Sequence, residues 1–242
     1  MNKIKTIFIA STLEVLLVLC VGCANLLLKP IYYFCFYNVL YGILLSFLIP
    51  LFLLRKEENV FDFLGIKTLG KKQIFILVVF VVFSVGGQII PKAVNGEIIP
   101  WNLLPLGIVP LIMTTFFEEF LFRGFFQNRF EKEFGTLWAI LFSGLTFSLY
   151  HVGYPGFRTF GNILLLFGVG VGFAVAYKLS GNNLIVAYFV NLPNAFVTYV
   201  LKFEQFPLMS ISSTIASIIT WCMIVVGLLT ICHIFPMLNR EK

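Results

Sequence analysis

Eight stretches of this chain are apolar over lengths that approach or exceed the roughly 18 to 20 residues a helix needs to cross a bilayer core. They run Ile7 to Leu28, Ile31 to Leu54, Ile74 to Ile90, Leu103 to Phe126, Leu137 to Tyr150, Ile163 to Leu179, Leu184 to Leu201 and Leu208 to Phe235. A spanning segment must satisfy its backbone internally, and the short alternating strands of a membrane barrel are not found, so each stretch is expected to be a helix. Composition agrees: 60% of the 242 residues are hydrophobic and 12% charged, too few polar side chains to cover a water-soluble globule. The expected fold is all-α: a single-domain, polytopic integral membrane helix bundle of about eight transmembrane helices.

Charge placement orients the bundle. With a cytoplasmic amino terminus, the inside loops hold Lys3, Lys5, Arg55, Lys56, Lys67, Lys71, Lys72, Arg129, Lys132, Lys178, Arg240 and Lys242. The outside loops hold Lys29, Lys92, Arg158 and Lys202. Twelve against four is the bias of the positive-inside rule and puts both termini in the cytoplasm of a cell-membrane protein. The net charge of +6 therefore reads as topology and contact with the lipid bilayer, without a nucleic-acid partner. The longest polar stretch, Arg55 to Gln73, is expected to be a solvated cytoplasmic loop with a short amphipathic piece around Phe61 to Ile66. An abundance of Phe, Ile, Leu, Asn and Lys suits an AT-rich bacterial genome.

Smaller signals have structural readings. Cys20, Cys23, Cys35, Cys222 and Cys232 all sit in apolar runs and read as packing residues, with no disulfide framework. Gly168 and Gly172 form a GxxxG pair that invites close approach of another helix. Pro193, in mid-segment, is expected to kink its helix and free polar groups at depth beside Asn191 and Asn194.

Against this background the run "TTFFEEFLFRGFFQNRF" from Thr114 to Phe130 stands out, because each formal charge at a helix centre costs about 2.5 to 3.5 kcal/mol on insertion scales. Residues four apart share a helix face, so Glu119 and Arg123 are expected to pair, with the glutamate first, the favoured order. Glu118 has no partner on its own helix and must face something polar. His151, closing "FSLYH", is the membrane-embedded imidazole available to it, with Phe147 four residues earlier placed to pack on the ring. A polar pocket between the fourth, fifth and seventh segments is the functional reading. The structural alternative is an interhelical clamp of Glu119 and Arg123, a network capped by Glu118, and an interfacial His151.

Glu118, Glu119 and Arg123 form EExxxR, Phe147 to His151 form FxxxH, and a third polar segment, "NNLIVAYFVNLPN", follows. Over about residues 103-200 this ordered set resembles the CPBP family of intramembrane proteases, which includes the type II CAAX prenyl endopeptidases and bacterial Abi relatives, some tied to bacteriocin immunity. The resemblance implies an eight-span bundle with a cavity in the membrane that hydrolyses a peptide bond near the carboxyl end of its substrate. Glu118 and His151 then match the groups that activate water. A histidine and an asparagine of the third motif would stabilise the oxyanion; here Asn191 stands at the histidine position and Asn194 one residue from the usual asparagine.

Such a peptidase would use Glu118 as general base, Glu119 and Arg123 as its electrostatic support, His151 as partner for water or oxyanion, and Asn191 with Asn194 as oxyanion donors. Phe116, Phe117, Phe120 and Phe147 would wall a pocket for a hydrophobic or lipidated peptide entering from the bilayer. Family members are often labelled metalloproteases, but a three-ligand zinc site would need His151 plus both carboxylates, so the expected chemistry uses no cofactor. Two competitors remain: a non-catalytic relative that binds a peptide or membrane protein partner, with packing at Gly168 or Gly172 essential, and a small transporter using Glu14 and Glu118.

Overall fold

The computed structural model describes residues 2–27, 29–201 and 211–238, and the side chains of the last helix over 214–227. Among the described residues all regular structure is helical, as a chain that must close every backbone hydrogen bond within lipid requires. The helices are α1 (Lys3–Leu27), α2 (Pro30–Leu54), α3 (Val60–Leu64), α4 (Lys71–Val94), α5 (residues 104–134), α6 (Thr136–Leu149), α7 (Phe160–Leu179), α8 (Leu184–Leu201) and α9 (Ile211–Leu238). Six of them, α1, α2, α4, α6 with the turn after it, α7 and α8, are long and apolar enough to cross a membrane. Helix α5 is longer than any of these six but carries the charged motif at its middle. The eighth expected crossing, Leu208 to Phe235, lies partly outside the described residues, as do Lys202, Arg240 and Lys242 and the side chains of Cys232 and His233.

Helix α5 continues past Phe126, the expected end of the fourth crossing, to Phe134. Its last two turns, "NRFEKEF", are amphipathic. Phe130 and Phe134 pack edge-on against Phe142 of α6, with centroids 5.5 and 5.6 Å apart. On the other side Arg129 and Lys132 reach Glu57 at 3.2 and 2.8 Å. Gly135, at φ 83°, then reverses the chain in a single residue, a conformation open to glycine at no steric cost. The resulting α5–α6 hairpin puts Glu118 17 residues before Gly135 and Tyr150 15 residues after it, so the two arrive at similar depth on antiparallel helices.

Residues 55–70 expose most of their charges, as expected for that run, and are also tied to the rest of the bundle. Beyond the Glu57 pairs, Lys67 Nζ donates to the Gly181 carbonyl at 2.7 Å, Asn183 Nδ2 to the Thr68 carbonyl at 3.0 Å, and the Leu184 amide to the Gly65 carbonyl at 2.7 Å. The amphipathic piece is helix α3, and the loop is stapled to the α7–α8 turn. Lys3 lies over the Phe134 ring, so the start of α1 and the basic residues of these loops gather at one end of the bundle.

Close approach of α6 and α7 rests on Gly144 and Gly170, not on the expected pair. A Cβ at Gly144 would meet Val171 Cγ2 at 2.6 Å, and one at Gly170 would meet Phe147 Cδ1 at 2.9 Å and Gly144 Cα at 3.0 Å. Around Gly168 and Gly172 nothing lies within 4 Å, because that face of α7 is turned away from α6. Helix α8 runs through Pro193 without a break in the helix.

Candidate active site

Glu118 and Glu119 end the regular α-helical part of α5, and the next eight residues, Phe120–Gln127, widen into a π-helix. Such wide turns are rare and recur at functional sites. Arg123 lies inside it and is fully buried. Its charge is met from three directions. Nε lies 3.3 Å from Glu119 Oε2, Nη2 donates to the Gly170 carbonyl at 3.0 Å, and the guanidinium faces the rings of Phe147 and Phe173 at 4.6 and 5.3 Å. Paired, hydrogen-bonded and stacked, an arginine tolerates an environment that would exclude an isolated cation. The pairing of Glu119 with Arg123 is thus as expected from their spacing.

Glu118 faces into the bundle, on the side of α5 that meets α6 and α8. The Tyr150 hydroxyl donates to its Oε1, and Asn191 Nδ2 donates to its Oε2 at 3.0 Å and to Glu119 Oε1 at 2.8 Å. One amide on α8 therefore ties both carboxylates together, and its two hydrogens are consumed in doing so. Sequence reasoning missed Tyr150. The signal available was its position beside His151 at the end of a short apolar helix, where the chain turns into a 3-10 turn, Tyr150–Gly153. That turn is fixed by Gly153 against α1, where an added Cβ would strike Val21 at 2.7 Å.

Tyr150 is held as firmly as the carboxylate it serves. Its ring stacks on Phe122 of α5 at 5.2 Å and on Tyr41 of α2 at 5.9 Å. His151 joins the cluster through Tyr150, their ring centroids 4.1 Å apart. The imidazole packs edge-on against Phe147 at 5.0 Å, as its spacing led one to expect, and Nδ1 donates to the Phe147 carbonyl at 2.7 Å. That hydrogen bond selects the tautomer whose lone pair sits on Nε2.

Other expected site residues are placed differently. Asn194 Oδ1 accepts from Gln88 Nε2 of α4 at 2.7 Å, and Gln88 in turn accepts from Thr198 at 2.8 Å, so Asn194 serves the α4–α8 contact and not the carboxylates. Phe117, Phe120 and Phe147 are buried packing residues; Phe117 lies against Gly42 and Tyr41 of α2, and Phe120 against Phe47. Phe116 is partly exposed and packs on Trp221 at 5.1 Å. Glu14 is buried in α1 with neither carboxylate oxygen hydrogen-bonded. Among the described residues no three His, Cys, Asp or Glu side chains are grouped to hold a metal ion, so the donor set does not fit a zinc site and no step is assigned to one.

A helical membrane bundle with two interior carboxylates, a buried arginine and an imidazole one ring away defines a class: proteins that keep acid–base groups within the bilayer. A likeness follows from comparison. Residues 100–196 match the family model described as Type II CAAX prenyl endopeptidase Rce1-like, so over that stretch the chain is similar to the CAAX-type intramembrane proteases. Neither a curated protein nor a solved structure matches the chain.

Proposed function

We propose that the protein is an intramembrane endopeptidase that hydrolyses a peptide bond in a hydrophobic or lipidated peptide drawn from the bilayer. The observation that carries this reading is the Glu118 carboxylate, interior to the bundle, inside the family-matched segment, and held at both oxygens by Tyr150 and Asn191. Glu118 is the general base for water. Glu119 and Arg123 fix the electrostatics around it, Asn191 locks the two carboxylates in register, and His151, with its tautomer set by Phe147, is the group next in line for the proton. A positioned base of this kind contributes about 10²- to 10⁴-fold in rate. The test is cleavage of a farnesylated CAAX peptide by purified protein in lipid nanodiscs: wild type releases the carboxyl-terminal fragment and Glu118→Ala does not. A Glu118→Ala protein that still cleaves removes the assignment.

A second reading, a non-catalytic family member that binds a peptide or a membrane protein partner, is favoured by one feature. The third-motif position holds Asn191, whose donors are spent on the carboxylates, as in a structural clamp. On that reading Glu118→Gln and His151→Ala leave the cellular phenotype intact. The essential helix packing then lies at Gly144 and Gly170, in place of the Gly168 and Gly172 expected from the sequence.

A further inference from the structure

A cleft of about 340 Å³ opens at the basic end of the bundle, between α3, the tail of α5 and the turn from α7 to α8. It is large enough for a small organic group, and its charged lining is Asp62, Lys67, Glu131, Lys132 and Lys178. Three of these charges are met inside the protein. Glu131 accepts from Lys178 Nζ, from Thr136 Oγ1 at 2.6 Å and from Asn182 Nδ2 at 2.9 Å, and Lys132 reaches Glu57 at 2.8 Å. Lys67 and Asp62 are left over, both exposed. The Lys67 ammonium donates to a neutral group, the Gly181 carbonyl at 2.7 Å, and Asp62 accepts from another, the Asn59 amide at 2.6 Å. Among the described residues neither has an ion-pair partner, and they do not pair with each other. The cleft lies where helices leave the bilayer. Lys178 is in the last turn of the spanning helix α7, Phe61 of the amphipathic α3 is 58% exposed, and Trp138 at the start of α6 is 52% exposed. Exposed aromatic rings beside charged groups mark the headgroup level of a membrane.

We propose that this cleft binds the headgroup of a phosphatidylethanolamine lipid. That headgroup carries one phosphodiester anion and one primary ammonium a few bonds apart, which matches the two unpaired charges in number and sign. Basic pockets between helix ends at a membrane surface are a recurrent seat for headgroups. The phosphate accepts from Lys67 and from the remaining hydrogens of Lys132 and Lys178, because each ammonium has three donors and its internal oxygen contact takes one. Lys132 is steadied for this over the Phe63 ring, at 4.6 Å, and Phe63 also lines the cleft. The lipid ammonium donates to Asp62. A choline headgroup has the same two charges but no N–H to give, and a glycerol headgroup leaves Asp62 beside a phosphate with no cation between them. Asp62 is therefore the residue that selects among lipids. Lys132 lies 14 residues beyond Glu118, about 20 Å along α5, so this site is separate from the carboxylate cluster and does not depend on the endopeptidase reading.

The test uses full-length protein in nanodiscs of equimolar phosphatidylethanolamine, phosphatidylcholine and phosphatidylglycerol, with native mass spectrometry of the lipid that leaves with the protein. Wild type is expected to retain phosphatidylethanolamine about tenfold over either of the others, the worth of one charge-assisted hydrogen bond. Asp62→Asn, which keeps an acceptor for Asn59, should erase the preference over phosphatidylcholine. Lys67→Gln should lower retention of the lipid itself, and Lys67→Arg should restore it. Equal retention of phosphatidylethanolamine and phosphatidylcholine by wild type, or a preference that survives Asp62→Asn, overturns the proposal. A preference for phosphatidylglycerol overturns it in favour of a plain anion site. Soluble phosphoethanolamine in micelles is expected to leave the unfolding temperature unchanged, whereas added phosphatidylethanolamine raises it. An equal rise from the soluble compound at the same concentration makes the ligand a free phosphoethanolamine and overturns the lipid assignment.

Discussion

Asn191 and Glu118 are 73 residues apart in the chain and 3.0 Å apart across a hydrogen bond, and the same nitrogen reaches Glu119 at 2.8 Å. Two neighbouring carboxylates on one helix point about 100° apart, so an amide that engages both has to lie in the groove between them. Helix α8 brings it there.

Removing that amide is the first prediction. Asn191→Ala leaves two buried carboxylate oxygens without their donor, at a cost of about 1–3 kcal/mol for each unsatisfied acceptor. Denaturation in micelles should show a loss in that range, and peptide cleavage should fall with it. Asn191→Asp, which adds a third acid to the cluster, should be worse than Asn191→Ala in both measurements.

Arg123 provides a second. Arg123→Met strands Glu119 in the interior, and breaking a buried pair from one side costs about 3–5 kcal/mol. The double variant Glu119→Gln/Arg123→Met removes both charges and should be more stable than Arg123→Met alone. A double variant that is the sum of its singles would show that the pair at 3.3 Å is not coupled.

Much of this cluster was legible in the sequence because its pairs are local. Glu119 with Arg123, and Phe147 with His151, follow from spacing on one helix. Asn191 followed from the order of the three motifs. Tyr150 did not, because its meeting with Glu118 depends on where α5 ends. The polar letters of "NRFEKEF" looked like a loop, whereas Glu57 and Lys178 neutralise them from other parts of the chain and let the helix continue. Asn194 differs from Asn191 by three positions on one helix, and only the neighbouring Gln88 decides which of them meets the carboxylates.

The same limit applies to the glycines and yields a third prediction. GxxxG spacing marks a smooth face without saying whether another helix uses it. Gly144→Val and Gly170→Val should each cost about 1–3 kcal/mol or more through overpacking. Gly168→Ala and Gly172→Ala should stay within about 0.5 kcal/mol of wild type. Thermal unfolding of the four variants in one detergent separates the two faces of α7.

A fourth prediction concerns pH at the basic end. Burial alone would raise the Glu57 carboxyl, but hydrogen bonds and charge from Lys132 and Arg129 outweigh it and hold the group below its ordinary value. Glu131 behaves likewise, with Lys178, Thr136 and Asn182 outweighing burial. A carboxylate whose folded pKa is depressed contributes stability above its unfolded value, about 4.3, and that stability is lost as pH falls through the folded pKa. The stability difference between wild type and Glu57→Gln should therefore be constant from neutral pH down to about 5 and shrink below about 4. A difference that persists at pH 3, or grows there, contradicts the ion-paired loop.

The central claim, that Glu118 activates water for peptide hydrolysis, is tested most directly by single-turnover cleavage of a farnesylated CAAX peptide in ¹⁸O-enriched water, comparing wild type with Glu118→Gln. The account predicts one ¹⁸O atom in the newly formed carboxylate and a rate about 10²- to 10⁴-fold lower in the variant. A Glu118→Gln protein that cleaves at the wild-type rate, or a product without the label, contradicts it.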